Sequence, residues 1–415
     1  MASLFGQSFP SMHSSMRYIL PRRLILPLSA ISLALSLTAC ENTWWDGNKE
    51  PTLDSEQIRQ LIPSRVQKRD SWADDIYAIA EQLGIPQTKQ NVCTIVAVVD
   101  QESNFVADPQ VAGLGAKAVK EVEDRLDEKF TEKLGEGIGG KVAGYFQDVL
   151  KNHPTPEDNF LGQMRKVKTE RELDELYRNI FDYMSKHYHV SALTGAAKLV
   201  GQNISEKLNP ITTLGSMQVH ISYAEEHKRQ GGNMVDLRTD LYTQYGGLYY
   251  GIHRLMMYPA QYDDPIYRFA DYNSGMYSSR NAAFQKMLQA LAEKDLDLDG
   301  DLLLYSKDGG VKSQKSQTEQ ELLGVFTKYN VLLTPRQVRA DLKKEKDQKF
   351  ENTDTYKTLI QLYEEHTEQD APYAIMPEVI ITGPKLSRDY NTNWFATRVD
   401  GRYETCMRKA KRIKI

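Results

Sequence analysis

The chain has 415 residues, of which 40% are hydrophobic and 26% charged, and its formal net charge at pH 7 is −4. That is chain enough for two or three domains, with the composition of a soluble globular protein able to bury a core. The acidic balance argues against a nucleic-acid partner, whose affinity would come mostly from a strongly basic surface.

Arg17, Arg22 and Arg23 precede an apolar run from Leu24 to Leu37, interrupted by Pro27, which ends in Leu37-Thr38-Ala39-Cys40. Charged, apolar and small-residue segments in that order are the layout of a secretory signal peptide. The run falls short of the roughly 20 apolar residues a bilayer-spanning helix needs. Its end resembles the bacterial lipoprotein signal, in which a cysteine after small residues is lipidated and becomes the mature N-terminus. The resemblance implies a signal over residues 1–39, acyl chains on Cys40 and an anchor in the lipid bilayer, since several chains hold where one binds marginally. An ordinary cleaved signal with a chance cysteine is the alternative. With Glu41 rather than aspartate after the cysteine, the implied place is the outer membrane, on its periplasmic face.

The polar stretch "ENTWWDGNKEPTLDSEQ" reads as part of a tether over residues 40–70, in which Trp44 and Trp45 either rest at the lipid headgroups or pack on the domain. Beyond Cys40 only Cys93 and Cys406 remain, in a compartment that permits disulfides. A bridge would tie the far C-terminus to the segment around residue 100; two separate buried thiols are the alternative.

Helical periodicity begins in "WADDIYAIAEQLG", with Ile76, Ile79 and Leu83 on one face and a stop at Gly84 and Pro86. Thr88 can cap a second helix whose apolar positions are Val92, Ile95, Val96 and Val99. Glu102 falls seven residues after Ile95, on the same face, at the helix C-terminus. Lost hydration and the negative end of the helix dipole both favour a protonated carboxyl there. Such a group is a general acid, although a glutamate at a helix end is also an ordinary solvated cap or half of an ion pair. Asp100, two residues earlier, points to another face and makes a poor second catalyst.

Further on, "LGSMQVHIS" (Leu214–Ser222) sits at a predicted helix start and "ADYNSG" (Ala270–Gly275) ends an apolar helix. Glu102-Ser103-Asn104-Phe105, Gly215-Ser216-Met217-Gln218 and Ala270-Asp271-Tyr272-Asn273-Ser274-Gly275, in that order, resemble the signature of the soluble lytic transglycosylase family of lysozyme-like enzymes. Between the last two, "YGGLYYGIHRLM" supplies Gly246, Gly247 and Gly251, where that family packs a helix tightly under its groove. The resemblance departs at Ser216, where the family has leucine, at the inserted Asp271, and in the long charged helical stretch after Glu102.

The fold this implies is mostly α: a lysozyme-like helical domain over residues 71–305, a large helical insertion at about 108–211, and a C-terminal extension over 306–415. The resemblance further implies that Glu102 is the catalytic acid and base, with Ser103, Met217, Gln218, Tyr272 and Asn273 at the substrate. Met217 filling the core, and Tyr272 and Asn273 merely closing a helix, are the structural alternatives. The substrate implied is the glycan of peptidoglycan, cleaved at the MurNAc-GlcNAc β-1,4 bond without water to leave 1,6-anhydro-muramic ends. A hydrolase using a second acid from the insertion, and a catalytically silent wall-binding or scaffold lipoprotein, stand as alternatives.

No cofactor is expected. In "DLDLDGDLL", Asp295, Asp297, Asp299 and Gly300 take the first, third, fifth and sixth places of a calcium loop, but the twelfth is Ser306, so any calcium site is weak. His187 and His189 lack zinc-motif partners and read as surface. The C-terminal region has helices at "TEQELLGVFTKYN" and "TYKTLIQLYEEH". A stretch "YAIMPEVIITGPKL" then wraps back or forms a small module, and "CMRKAKRIKI" reads as a basic, solvated tail, with attraction to anionic lipid or peptidoglycan as the alternative.

Overall fold

A computed structural model describes residues 51–187, 209–306, 309–381 and 390–414. Cys40, Trp44, Trp45 and His189 lie outside these. The protein is mostly α, with sixteen helices and two short two-stranded ribbons among the described residues. None of those helices is long and apolar enough to cross a membrane.

The first apolar cluster is built from both ends of the chain and its middle. It takes α1 (Ser55–Leu61), α2 (Arg69–Gln82) and α3 (Lys89–Glu102), then the ribbon β1 (Thr213–Leu214) with β2 (Val219–His220). Of the helices that follow the ribbon, α8 (Ile221–Glu226), α9 (Met234–Leu241), α10 (Gln244–Met256) and α11 (Pro265–Ser274) join it. Residues 51–70, whose polarity suggested a tether, are folded instead. Asp54 makes a capping box with Gln57, and Leu53, Ile58, Leu61 and Ile62 are fully buried. Four apolar side chains in ten residues outweigh the polar ones between them.

The stretch after Glu102 has its own apolar cluster, from Leu114 to Met184. It spans α4 (Leu114–Leu134), α5 (Glu136–Asn152), α6 (Phe160–Lys166) and α7 (Glu170–His187). An ion pair with both side chains buried fixes α7 to α9: Arg238 lies 2.6 Å from Asp174, which also accepts from Asn209 and pairs with Arg178. Removing one partner of such a pair costs about 3–5 kcal/mol, because the other charge stays buried. His187 stacks on Tyr183 and bonds to its carbonyl at the exposed end of α7.

A third cluster joins α12 (Ser278–Ala292), α13 (Gln317–Lys328), α14 (Pro335–Leu342) and α15 (Asp354–Thr367). Within it, Glu345 is fully buried and accepts from Leu302 N–H and the Tyr305 hydroxyl. Burial raises its pKa from 4.5 to about 7, against the pull of those two donors. A carboxyl easier to protonate when folded stabilises fully below its unfolded value, and the stabilisation is lost as pH rises through about 7. The loss amounts to roughly 3 kcal/mol. The urea midpoint should therefore fall between about pH 5 and 8, and Glu345→Gln should flatten that fall; an equal slope in the variant would assign it elsewhere.

The described part of the "YAIMPEVIITGPKL" stretch, residues 373–381, returns across α12 and the turn after it, with Ile375 N–H donating to Ser279 O and Glu378 N–H to Leu298 O. After the ribbon of β3 (Ile380–Ile381) and β4 (Tyr390–Asn391), α16 (Thr392–Ala410) packs on α3 and α11. The expected solvated tail is thus corrected. Val399, Tyr403, Cys406 and Ala410 form a buried stripe, and Lys89 donates to the carbonyl of Ile413. Basic residues occupy the other faces, which is why net charge hid the amphipathic period. Cys93 and Cys406 are joined in a disulfide across α3 and α16, Cα atoms 5.5 Å apart and 313 residues apart in sequence. Alkylation of the folded, unreduced protein should label neither cysteine, and both after reduction and unfolding; two thiols reactive at the outset would contradict the bridge.

Candidate active site

Glu102 is the last residue of α3 and half-buried. From Asn91 to Asp100 every residue of α3 is buried, so the helix runs through the first cluster and emerges at its two ends, the C-terminal one carrying Glu102. The chain then turns through two left-handed residues, Asn104 at φ 52° and Phe105 at φ 61°. Left-handed backbone costs a non-glycine residue about 1–2 kcal/mol. Phe105 offsets that cost by burying its ring edge-on against Trp72, centroids 5.3 Å apart. The sharp exit stops the helix at Glu102 instead of covering it with another turn.

The Gly215–Gln218 segment is the turn of the β1–β2 ribbon, not a helix start as the sequence suggested. Leu214 faces Val219, Gln218 N–H donates to Gly215 O, and Gly215 and Gln218 both have positive φ. The glycine face of α10 closes on this turn. A Cβ on Gly251 would stand 2.2 Å from Met217 Sδ and 2.4 Å from its Cβ, and one on Gly247 would stand 2.9 Å from Ser216 N and Oγ. Glycine here permits approach of backbone to backbone.

The third segment completes the arrangement. Tyr272, buried near the end of α11, donates its hydroxyl hydrogen to Met217 O at 2.6 Å, and the Arg254 guanidinium lies 4.6 Å above its ring. Burial pushes the Tyr272 phenol well above its ordinary pKa; Arg254 opposes this and the charge of Glu102 adds to it. Tyr272, on the third segment, is thus bonded to Met217 of the second and feels the charge of Glu102 on the first, with Arg254 over its ring.

The other expected site residues sit differently. Ser103 is buried and its hydroxyl donates back to Val99 O, beneath the helix end rather than at a surface. Met217 is fully buried in the first cluster, and its carbonyl accepts the Tyr272 hydroxyl. Gln218 is half-buried; its amide donates to Glu170 of α7 at 3.0 Å and its oxygen accepts from Thr213. Asn273 accepts from Thr392 at the start of α16, at 3.4 Å. The inserted Asp271 is fully buried and accepts from Tyr262, Tyr258, Ser278 and the N–H groups of Tyr277 and Ser279. It fixes the α11–α12 turn. Asp100 pairs with Arg65 and Arg402.

Arg254 and Glu170 were not singled out from sequence. Gly247, Gly251 and Arg254 follow at helical spacing, which puts Arg254 on the face that meets the turn; Glu170 gives no comparable signal. On α10, His253 bonds to the Tyr223 hydroxyl at 2.7 Å, and burial, then His227, lowers its pKa to about 4. Together with Met257, Tyr258 and Tyr277 these side chains line a cavity of about 270 Å³.

Among the described residues no group of three or more His, Cys, Asp or Glu could hold a metal ion. In the acidic turn Asp295 and Asp297 are exposed, whereas Asp299 accepts from Gln285 and from Asp301 N–H, which ties it to the protein.

A family profile described as "Protein of unknown function (DUF1615)" matches residues 65–409. The chain belongs to that family. It is similar to "Uncharacterized protein YaiW" of Escherichia coli (strain K12), at 33% identity over 391 residues, covering 92% of this chain and 99% of the relative. No solved structure matches.

Proposed function

We propose that the protein is a lytic transglycosylase of peptidoglycan, with a lysozyme-like groove and a lipid anchor at Cys40 on the periplasmic face of the outer membrane. The observation that carries this reading is the Tyr272–Met217 contact over the glycine face of α10, with Tyr272 close enough to the end of the buried α3 to feel the charge of Glu102. A carboxyl so placed suits a reaction that needs one acid. The protonated Glu102 gives its proton to the glycosidic oxygen as the C1–O bond breaks, and the N-acetyl group of the muramic residue stabilises the cation. The carboxylate then takes the proton of the 6-hydroxyl as that oxygen closes on C1. The proton lent in the first half returns in the second, and no water is consumed. In this mechanism Tyr272, kept protonated by its raised pKa, holds the Met217 turn against the acid.

One observation favours a second reading. Glu170, a buried carboxylate from the region after Glu102, reaches Gln218 of the second motif and could serve a hydrolase as the further acid. The two readings separate by product. Incubation with intact sacculi should release muropeptides whose terminal muramic acid is one water lighter than the hydrolysed form. Hydrated ends would transfer the assignment to the hydrolase, and no release by folded protein would leave a wall-binding scaffold.

A further inference from the structure

Two residues before Glu102, on another face of α3, the structure carries a second site that owes nothing to the transglycosylase reading. A cleft of about 690 Å³ opens between the end of α1, α3 and α16. Arg65 stands on one wall. Arg398, Arg402 and Lys409 stand on the other, and as positions i, i+4 and i+11 of α16 they fall on one stripe of that helix. Asp100 is the single acidic residue in the lining, so four cations face one carboxylate and leave a surplus of three positive charges. Leu61, Val96 and Cys406 supply an apolar floor, which strengthens electrostatic interactions above it.

These charges are not disposed of by pairing. Asp100 is buried and already shared between Arg65 and Arg402. Arg402 Nε lies 3.2 Å from Asp100 Oδ2 but is poorly aligned for a hydrogen bond to it. Burial lowers the Arg402 pKa, Asp100 opposes the shift, and Arg398 and Arg65 lower it further. Three guanidinium groups therefore crowd one another at an electrostatic cost that an incoming anion would relieve. Asp400 offers no relief: two residues from both Arg398 and Arg402, it falls on another face of α16 and does not line the cleft.

We propose that this cleft binds a phosphate-bearing ligand. A carboxylate presents two oxygens in one plane and is met by a single guanidinium fork, whereas a phosphate presents oxygens in several directions. Donors converging from two walls fit the second better. The phosphate can belong to a soluble ester or to a lipid headgroup beside the anchor, and the two differ in what else must be bound.

Calorimetric titration of the detergent-solubilised full chain tests this with two probes, inorganic pyrophosphate and the water-soluble dihexanoyl phosphatidylglycerol. Either should bind, more weakly with added salt. The double variant Arg398→Gln/Lys409→Gln should weaken binding at least about tenfold, two charge-assisted contacts being lost. Because Arg398 is exposed and Lys409 half-exposed, that variant keeps the Asp100 pairs and the fold. Binding of pyrophosphate that is lost in the variant supports a soluble phosphate ligand. Binding of the lipid alone, lost likewise, supports the headgroup. If neither probe binds, or if binding survives both the double variant and Arg402→Gln, the proposal is overturned.

Discussion

Glu102→Gln should abolish release of anhydro-muropeptides from sacculi, lowering turnover by at least the 10²–10⁴-fold, as an order of magnitude, that a lost general acid–base costs. The amide keeps the size and hydrogen-bonding capacity of the carboxyl but can neither give nor accept the proton. Glu102 is half-buried at the end of α3, outside the run from Asn91 to Asp100 that holds the helix in the core. The melting temperature should accordingly stay close to that of the wild type. Both halves of the reaction pass through the same group, so no second acid should rescue the variant, and exogenous formate should restore little. Asp100→Asn is the informative contrast. It breaks the pairing with Arg65 and Arg402, so it should lower stability without removing the proton donor. Undiminished product from Glu102→Gln would remove the mechanism, and anhydro ends lost only in Asp100→Asn would move the acid two residues upstream.

How much could be read beforehand followed from where the physics is local. The helix that carries Glu102 was legible because Thr88 caps it and its apolar residues recur without interruption, and the structure has Thr88 accepting from Asn91 N–H. The packing role of Gly246, Gly247 and Gly251 was legible through the family resemblance, and the structure supplies its physical reason, the close approach of α10 to the Ser216–Met217 turn. The turn at Gly215–Gln218 was not. Its positive φ at Gln218 depends on the β1–β2 pairing and on α10 beneath it, neither visible within four residues. Nor was Asp271 legible as a hub, since its five donors come from residues on both sides of a turn that exists only when α11 and α12 are packed. The tail was misread for a different reason. Charge counts over "CMRKAKRIKI" masked a stripe whose earlier members, Val399 and Tyr403, lie upstream of it.

Gly251→Ala should lose most of the activity while leaving every proposed chemical group in place. Alanine is the better helix former by about 1 kcal/mol, so an isolated α10 would gain. In the fold, however, the new Cβ would sit 2.4 Å from the Cβ of Met217, an atom that cannot swing away as the end of a long side chain could. Either the ribbon turn or α10 must shift, and overpacking of this kind costs about 1–3 kcal/mol. A shift of Met217 moves the carbonyl that receives the Tyr272 hydroxyl, and with it the phenol that feels the charge of Glu102. We expect muropeptide release to fall at least about tenfold, since misplacing groups by an ångström or so is enough for that, with a lowered melting temperature. Gly324→Ala is the control: nothing lies within 4 Å of a Cβ there, on an exposed face of α13, so it should leave activity unchanged and stability equal or higher. Met217→Ala in the Gly251→Ala background frees the space the new methyl needs, and should recover stability that the two single changes would not predict by addition. Full activity in Gly251→Ala, at an unchanged melting temperature, would mean that the glycine face of α10 does not set the position of Tyr272.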